Sequence, residues 1–190
     1  MENGYTERNL KVSNPTHRTA RKIKRMAKAH TIIGVKPLCS YRENARIILP
    51  QKVEEVYTWE PFIRDEARRE ELHNMRISIK RLRYTMEIFR AAYRLPKTYA
   101  KEVSVTYNEL LRVIVDLQEI LGDIHDSDVV LEVLTDYAYQ SGCETSAQGV
   151  ATLIDRTKEA RKADYKIFLE KWKQLSRMNF KQKLLSFLAS

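Results

Sequence analysis

Apolar residues recur at three- and four-residue intervals through most of the chain, the period of helices with one buried face. The plainest case is Glu71 to Phe89. Leu72, Met75, Ile79, Leu82 and Met86 fall there on one stripe at about 100° per residue. This central helix is expected over roughly Asp65 to Arg94, with Pro96 stopping it. A helical region precedes it from Arg42 to Arg64, with Val53, Val56 and Tyr57 inward. Pro50 suits a first turn, so the main element is expected to start near it, and Pro61 to kink or end it. Lys97 to Leu121 follows, with Val103, Tyr107, Leu110, Leu111, Ile114, Leu117, Ile120 and Leu121 on a broad apolar face. Gly122 is expected to break that helix. Asp126, Ser127 and Asp128 would then cap a new one over Val129 to Gln140. Thr145 to Leu175 reads as a long helix with Val150, Leu153, Ile154, Tyr165, Phe168, Leu169 and Trp172 inward, and Met178 to Leu188 as a short terminal one.

No stretch shows the period of two that marks a strand, so the expected fold is all-α, an antiparallel bundle of about five to seven helices with short connections. Residues 1–16 are polar and patternless. His17 to His30 has good helix formers with few apolar anchors, and Thr31 to Tyr41 contains Gly34 and Pro37. The expected organisation is a basic arm and connector over 1–41 and a helical domain over 42–190.

Composition agrees with a helical domain. Hydrophobic residues make up 43% of the 190, and 5 Gly and 5 Pro are too few for an all-β design full of tight turns. Cys39 and Cys143 have no metal-binding spacing and fit a reducing interior. With no apolar run long enough to cross a bilayer and no signal-peptide pattern at the start, a soluble cytoplasmic protein is expected.

Charge changes the picture more. The formal net charge is +9, and it is unevenly spread. His17 to Lys28 holds six basic residues and no acid, and Arg156 to Lys183 holds ten against three acids. Ala100 to Gln140 carries nine acids against two bases. A polyanionic partner and a set of solvated charged faces both fit this distribution.

The central helix carries the sharpest chemistry. His73, Arg76, Lys80 and Arg83 form a row beside the apolar stripe, at spacings of three, four and three, over roughly 15 Å. Guanidinium groups bind phosphate oxygens in pairs and an ammonium adds point charge. Like charges at these spacings repel, so the row costs stability unless an anionic ligand or internal acids such as Asp126 or Asp128 offset it. Arg81 points well away from the row, toward the surface or an acid. His125-Asp126 suits a metal ligand set, an acid–base dyad or a cap; the structural role is favoured, with Asp126 capping or anchoring a basic side chain. No Walker loop, dinucleotide fingerprint, nucleophile elbow or zinc-protease motif occurs, which favours binding over catalysis.

These residues carry a resemblance. L-H-N-M-R-I-S-I-K-R-L-R-Y-T-M-E-I-F at 72–89 resembles the signature helix of the CHAD domain, the conserved-histidine α-helical domain. His73, Arg76, Lys80, Arg81 and Arg83 match its pattern of a His, an Arg three later, a basic residue four further on, then R-L-R. L-Q-E-I-L-G-D-I-H-D-S-D-V-V at 117–130 resembles the family's second block, and the tail from Tyr165 its closing helix, so the resemblance covers about Arg42 to Leu188. It implies an all-helical fold around a basic channel, usually built from two repeated four-helix units. It also implies binding of inorganic polyphosphate by the Arg and Lys residues of the signature helices, without catalysis or cofactor, often beside polyphosphate-processing proteins or on granules. Histidine-bound metal is an idea attached to the family name, which leaves His73 and His125 open.

Only one full signature helix is present. Either the basic terminal segments complete the channel, Arg21, Lys22 and Arg25 among them, or two chains pair with two-fold symmetry, which is the preferred reading. Two further classes fit some of the residues. A nucleic-acid-binding helical protein fits the charge. An HD-type metal-dependent phosphohydrolase would string together His73, His125-Asp126 and Asp155 or Asp164.

Overall fold

The computed structural model of the chain describes residues 31–93, 106–141 and 144–189. It is all-α: α1 (Tyr41–Tyr57), α2 (Arg69–Phe89), α3 (Tyr107–Ser141), α4 (Glu144–Arg177) and α5 (Phe180–Ala189), packed antiparallel, with no strand among the described residues. Single tighter turns at Glu60–Phe62 and Arg90–Tyr93 follow α1 and α2.

The first helix starts earlier than the expected position near Pro50. Ser40 caps it: its hydroxyl accepts from the Glu43 backbone N–H, and the Glu43 carboxylate accepts from the Ser40 N–H at 2.8 Å. This reciprocal cap satisfies two otherwise unpaired donors and fixes the start. Pro50 therefore lies inside α1. There it removes one backbone donor, while Ala45, Leu49, Val53 and Val56 bury one continuous face across it.

The expected break at Gly122 is also absent. α3 runs unbroken from Tyr107 to Ser141, and Leu117, Leu121, Ile124 and Leu131 keep one buried stripe through the glycine. A glycine inside a helix costs only about 1 kcal/mol relative to alanine, less than burying those four side chains gains at roughly 1.5–3 kcal/mol each. Asp126 and Asp128 are thus mid-helix residues and cap nothing. Pro61 does fall outside the long helices, in the Glu60–Phe62 turn, and the stop expected at Pro96 lies outside the described residues.

The core lies where α1, α2, the first half of α3, the second half of α4 and α5 meet, and its fully buried members include Met75, Ile79, Leu82, Met86, Leu117, Leu121, Phe168 and Leu184. Tyrosine hydroxyls tie the helix ends together. Tyr107 donates to the Met86 carbonyl at 2.6 Å, Tyr93 to Leu188 at 2.7 Å, Tyr165 to Ile63 at 2.8 Å, and Tyr41 to Ile88. Asn179, with φ 53, makes the left-handed turn between α4 and α5.

α3 and α4 outrun the body. Arg161 closes the last shared layer: its guanidinium donates to Asp128 at 2.7 Å and to Glu66 at 2.9 Å, and Asp128 also pairs with Arg69 at 3.2 Å. Past Asp128, α3 continues for thirteen residues, about 20 Å of helix, with α4 antiparallel beside it. This two-helix arm explains another difference from the sequence reading. Leu153 was expected inward but is 50% exposed, and Val150 and Ile154 are only half-buried.

Candidate functional site

α2 has two working sides. Toward α1, Arg81 donates to Glu55 at 3.1 Å, and the same buried carboxylate takes Lys52 at 2.7 Å. Arg81 is therefore held in an ion network between α1 and α2, away from the cationic row, as its helical position implied. Toward α3, the row lies along a seam. His73 and His125 meet with their Nδ1 atoms 3.1 Å apart and ring centroids 4.3 Å apart. One ring donates and the other accepts, so the contact holds one proton between them.

One turn on, Arg76 faces Gly122. A Cβ added at Gly122 would lie 3.9 Å from Arg76 Nε, an ordinary contact, so the guanidinium approaches α3 at this position. Arg76 Nε is buried and has no hydrogen-bond partner among the described residues. The same holds for Gln118 Oε1, one turn before Gly122 on α3. In the antiparallel register set by the His73–His125 and Arg76–Gly122 pairs, Lys80 is level with Gln118.

The far end of the row is richer in neighbours. Lys80 is exposed, with no carboxylate within 4 Å among the described residues. Arg83 donates to Glu87 at 2.8 Å. That hydrogen bond, ahead of the Coulombic pull of Glu87, Tyr84 and Glu119, holds the Arg83 guanidinium further toward its charged form. Tyr84 is half-exposed between the two cations, its ring 5.7 Å from Lys80 Nζ and 5.7 Å from Arg83 Cζ. Such a row offers successive charge-assisted donors to a linear anion.

The structure brings together His73, Arg76, Lys80, Arg83 and His125. It leaves out Arg81. Arg21, Lys22 and Arg25 lie outside the described residues. Asp126 anchors none of the α2 cations; Asp128, one position pair further along, is the acid that takes Arg69 and Arg161. Asp126 instead faces the opposite side of α3, in a groove with Asp123, Arg156 and Asp164, while Asp155 pairs with Lys158. The phosphohydrolase string thus spreads over separate faces, and no three His, Cys, Asp or Glu side chains converge on a metal position among the described residues.

Sequence reasoning missed Gln118, Gly122, Tyr84 and Glu87. Gln118, Gly122 and His125 are spaced by four and three on α3, the same signal that revealed the row on α2. The expected break at Gly122 concealed it.

The family model for the CHAD domain matches residues 14–135. That span starts ahead of the boundary at 42 expected from the sequence and ends inside α3. No curated protein and no solved structure gives a significant match to the chain. No helix among the described residues is long and apolar enough to cross a membrane. With the signature helix and the second block facing each other across one seam, and the family model covering well over half of its residues, the chain belongs to the CHAD domain family.

Proposed function

We propose that the chain binds inorganic polyphosphate along the α2–α3 seam, without catalysing a reaction. The observation that carries this is Arg76: a guanidinium whose Nε is buried at the seam with no hydrogen-bond partner among the described residues, in line with an exposed Lys80 that has no carboxylate within 4 Å among them. A buried donor left unmade costs roughly 1–3 kcal/mol, and a phosphate oxygen at the seam would remove that cost. Arg83 joins once a phosphate displaces Glu87, and the His73–His125 pair closes the row at its other end. The cytoplasm, or a granule where polyphosphate collects, is the proposed setting. Polyphosphate-metabolising proteins are the proposed neighbours.

Titration with long-chain polyphosphate at two salt concentrations tests this. Three contacts with a flexible polyanion predict affinity about 20-fold weaker at 200 mM than at 50 mM salt, taking the single-strand counterion slope. Changing Arg76, Lys80 and Arg83 together to Ala should weaken binding at least about a hundredfold, since charge-assisted hydrogen bonds contribute roughly 1.5–3 kcal/mol each. Unchanged affinity in that triple variant removes this face from consideration.

One observation favours a second reading, nucleic-acid binding. Tyr84 stands half-exposed between Lys80 and Arg83 and could stack on a base. Competition at equal phosphate concentration separates the two. If RNA or DNA displaces polyphosphate, and Tyr84→Ala abolishes that advantage, the second reading holds.

A further inference from the structure

We propose that the His73–His125 pair is a contact for the anion that gains charge as the anion arrives, so that binding takes up a proton and tightens as pH falls. This rests on the polyphosphate reading and adds to it how the same seam responds to protons.

The geometry of the pair sets how many protons it takes. The two Nδ1 atoms lie 3.1 Å apart, with one proton between them. A proton added to the donating ring goes to that ring's outer nitrogen, Nε2, and leaves the Nδ1–H···Nδ1 contact in place as a charge-assisted bond. A proton added to the accepting ring would set two N–H groups against each other. The pair therefore takes one further proton readily and a second only against like charge.

Its charged neighbours decide when. On α2, Arg69 and Arg76 lie one turn to either side of His73 on the same face, with Glu70 on the flank, exposed and screened by solvent. On α3, Asp128 lies one turn past His125, while Asp126 turns to the opposite side. α4 reaches this layer through Arg161, which donates to Asp128 at 2.7 Å, and the segment before α2 reaches it through Glu66, 2.9 Å from the same guanidinium. Asp128 is shared between Arg161 and Arg69, so three guanidiniums stand against two carboxylates already in ion pairs. That balance opposes a further positive charge on the pair. A phosphate held by Arg76 reverses it. Arg76 is three residues from His73, about 4.5 Å of helix, and an anion within about 4–6 Å of a titrating group favours its cationic form. Because the anion raises the pair's pKa, the complex holds more protons than its separate parts. Affinity then rises as pH falls from the raised value toward the ordinary histidine value of about 6.5.

Isothermal titration with long-chain polyphosphate near neutral pH, in two buffers of different ionisation enthalpy, counts the protons exchanged. For a one-unit rise from about 6.5, about half a proton should be taken up per site at pH 7, and affinity should tighten about sixfold between pH 8 and pH 6. The ligand cannot mimic this. Its internal phosphates stay ionised in this range, and its ends, with a second pKa of about 6, would release protons to a cationic seam. Changing His73 and His125 together to Gln should remove the uptake with far-UV circular dichroism unchanged, and either single change should reduce it. Arg83→Ala should weaken binding and keep the uptake. No uptake, proton release, or uptake unchanged in the double variant would each overturn the proposal. Those results leave the polyphosphate reading standing, whereas failure of polyphosphate to bind at any pH overturns both.

Discussion

Replacing Arg161 with methionine separates the basic residues that hold the fold from those that face a ligand. Arg161 is only 4% exposed, and its guanidinium satisfies Asp128 and Glu66 at the base of the arm. Removing one partner of a buried ion pair costs about 3–5 kcal/mol, mostly because the other charge is left buried and unpaired. Two features reduce that here. Asp128 keeps Arg69 at 3.2 Å, and the Glu66 side chain is 41% exposed and rehydrates readily. Methionine also fills much of the vacated volume. The expected loss is therefore about 2 kcal/mol, or about 4–8 °C in Tm for a domain of this size. Urea and thermal unfolding followed by circular dichroism measure it. Adding Asp128→Asn should recover only a small part of the loss, because the Asp128 carboxylate still pairs with Arg69. Polyphosphate affinity should stay within about twofold of the unaltered protein, well under the roughly 1.4 kcal/mol of a tenfold change. A Tm lowered by less than about 1 °C, or affinity lost while stability is kept, would refute the assignment of Arg161 to the frame.

Glu87→Gln frees Arg83 and removes a negative charge beside the row; polyphosphate should bind about two- to fivefold tighter by isothermal titration, a small gain because exposed i, i+4 pairs are weak. Gly122→Ala should raise stability by about 0.5–1 kcal/mol in urea unfolding, since the added Cβ makes an ordinary contact with Arg76 and alanine favours the helix. Asp164 binds its proton more tightly folded than unfolded, so its ionisation opposes folding and stability falls as pH rises through its folded pKa. Asp164→Asn should therefore raise Tm at pH 7, and scanning calorimetry should show that advantage shrinking as the pH falls through the raised folded pKa and gone below the ordinary aspartate value.

Helix type and the cationic row were legible because both depend on spacing along one element. Leu72 to Met86 and His73 to Arg83 are fixed relative to each other by the helical period alone. What escaped depended on competition between local and distant terms. Pro50 and Gly122 are both unfavourable inside helices, yet each is carried by buried neighbours on either side. The start at Ser40 had its own signal, a serine followed three residues later by Glu43, which outranked the proline. The His73–His125 contact joins residues 52 positions apart, so it follows only from the antiparallel register of α2 and α3. The arm was misread for a related reason. Leu153 has the spacing of a core residue, but spacing shows that a face is apolar without showing what covers it.

The continuity of α3 through Gly122 has a mechanical consequence. A break at that glycine would have uncoupled the seam from the arm. As one rod, α3 makes them two ends of a lever pivoting near Arg76. From Gly122 to Ser141 is nineteen residues, about 28 Å of helix. A tilt of about 5° at the seam would swing the tip through about 2.5 Å. That displacement exceeds the slack of a close-packed contact, so any tilt of α3 at the cations would be felt at the far end of the helix.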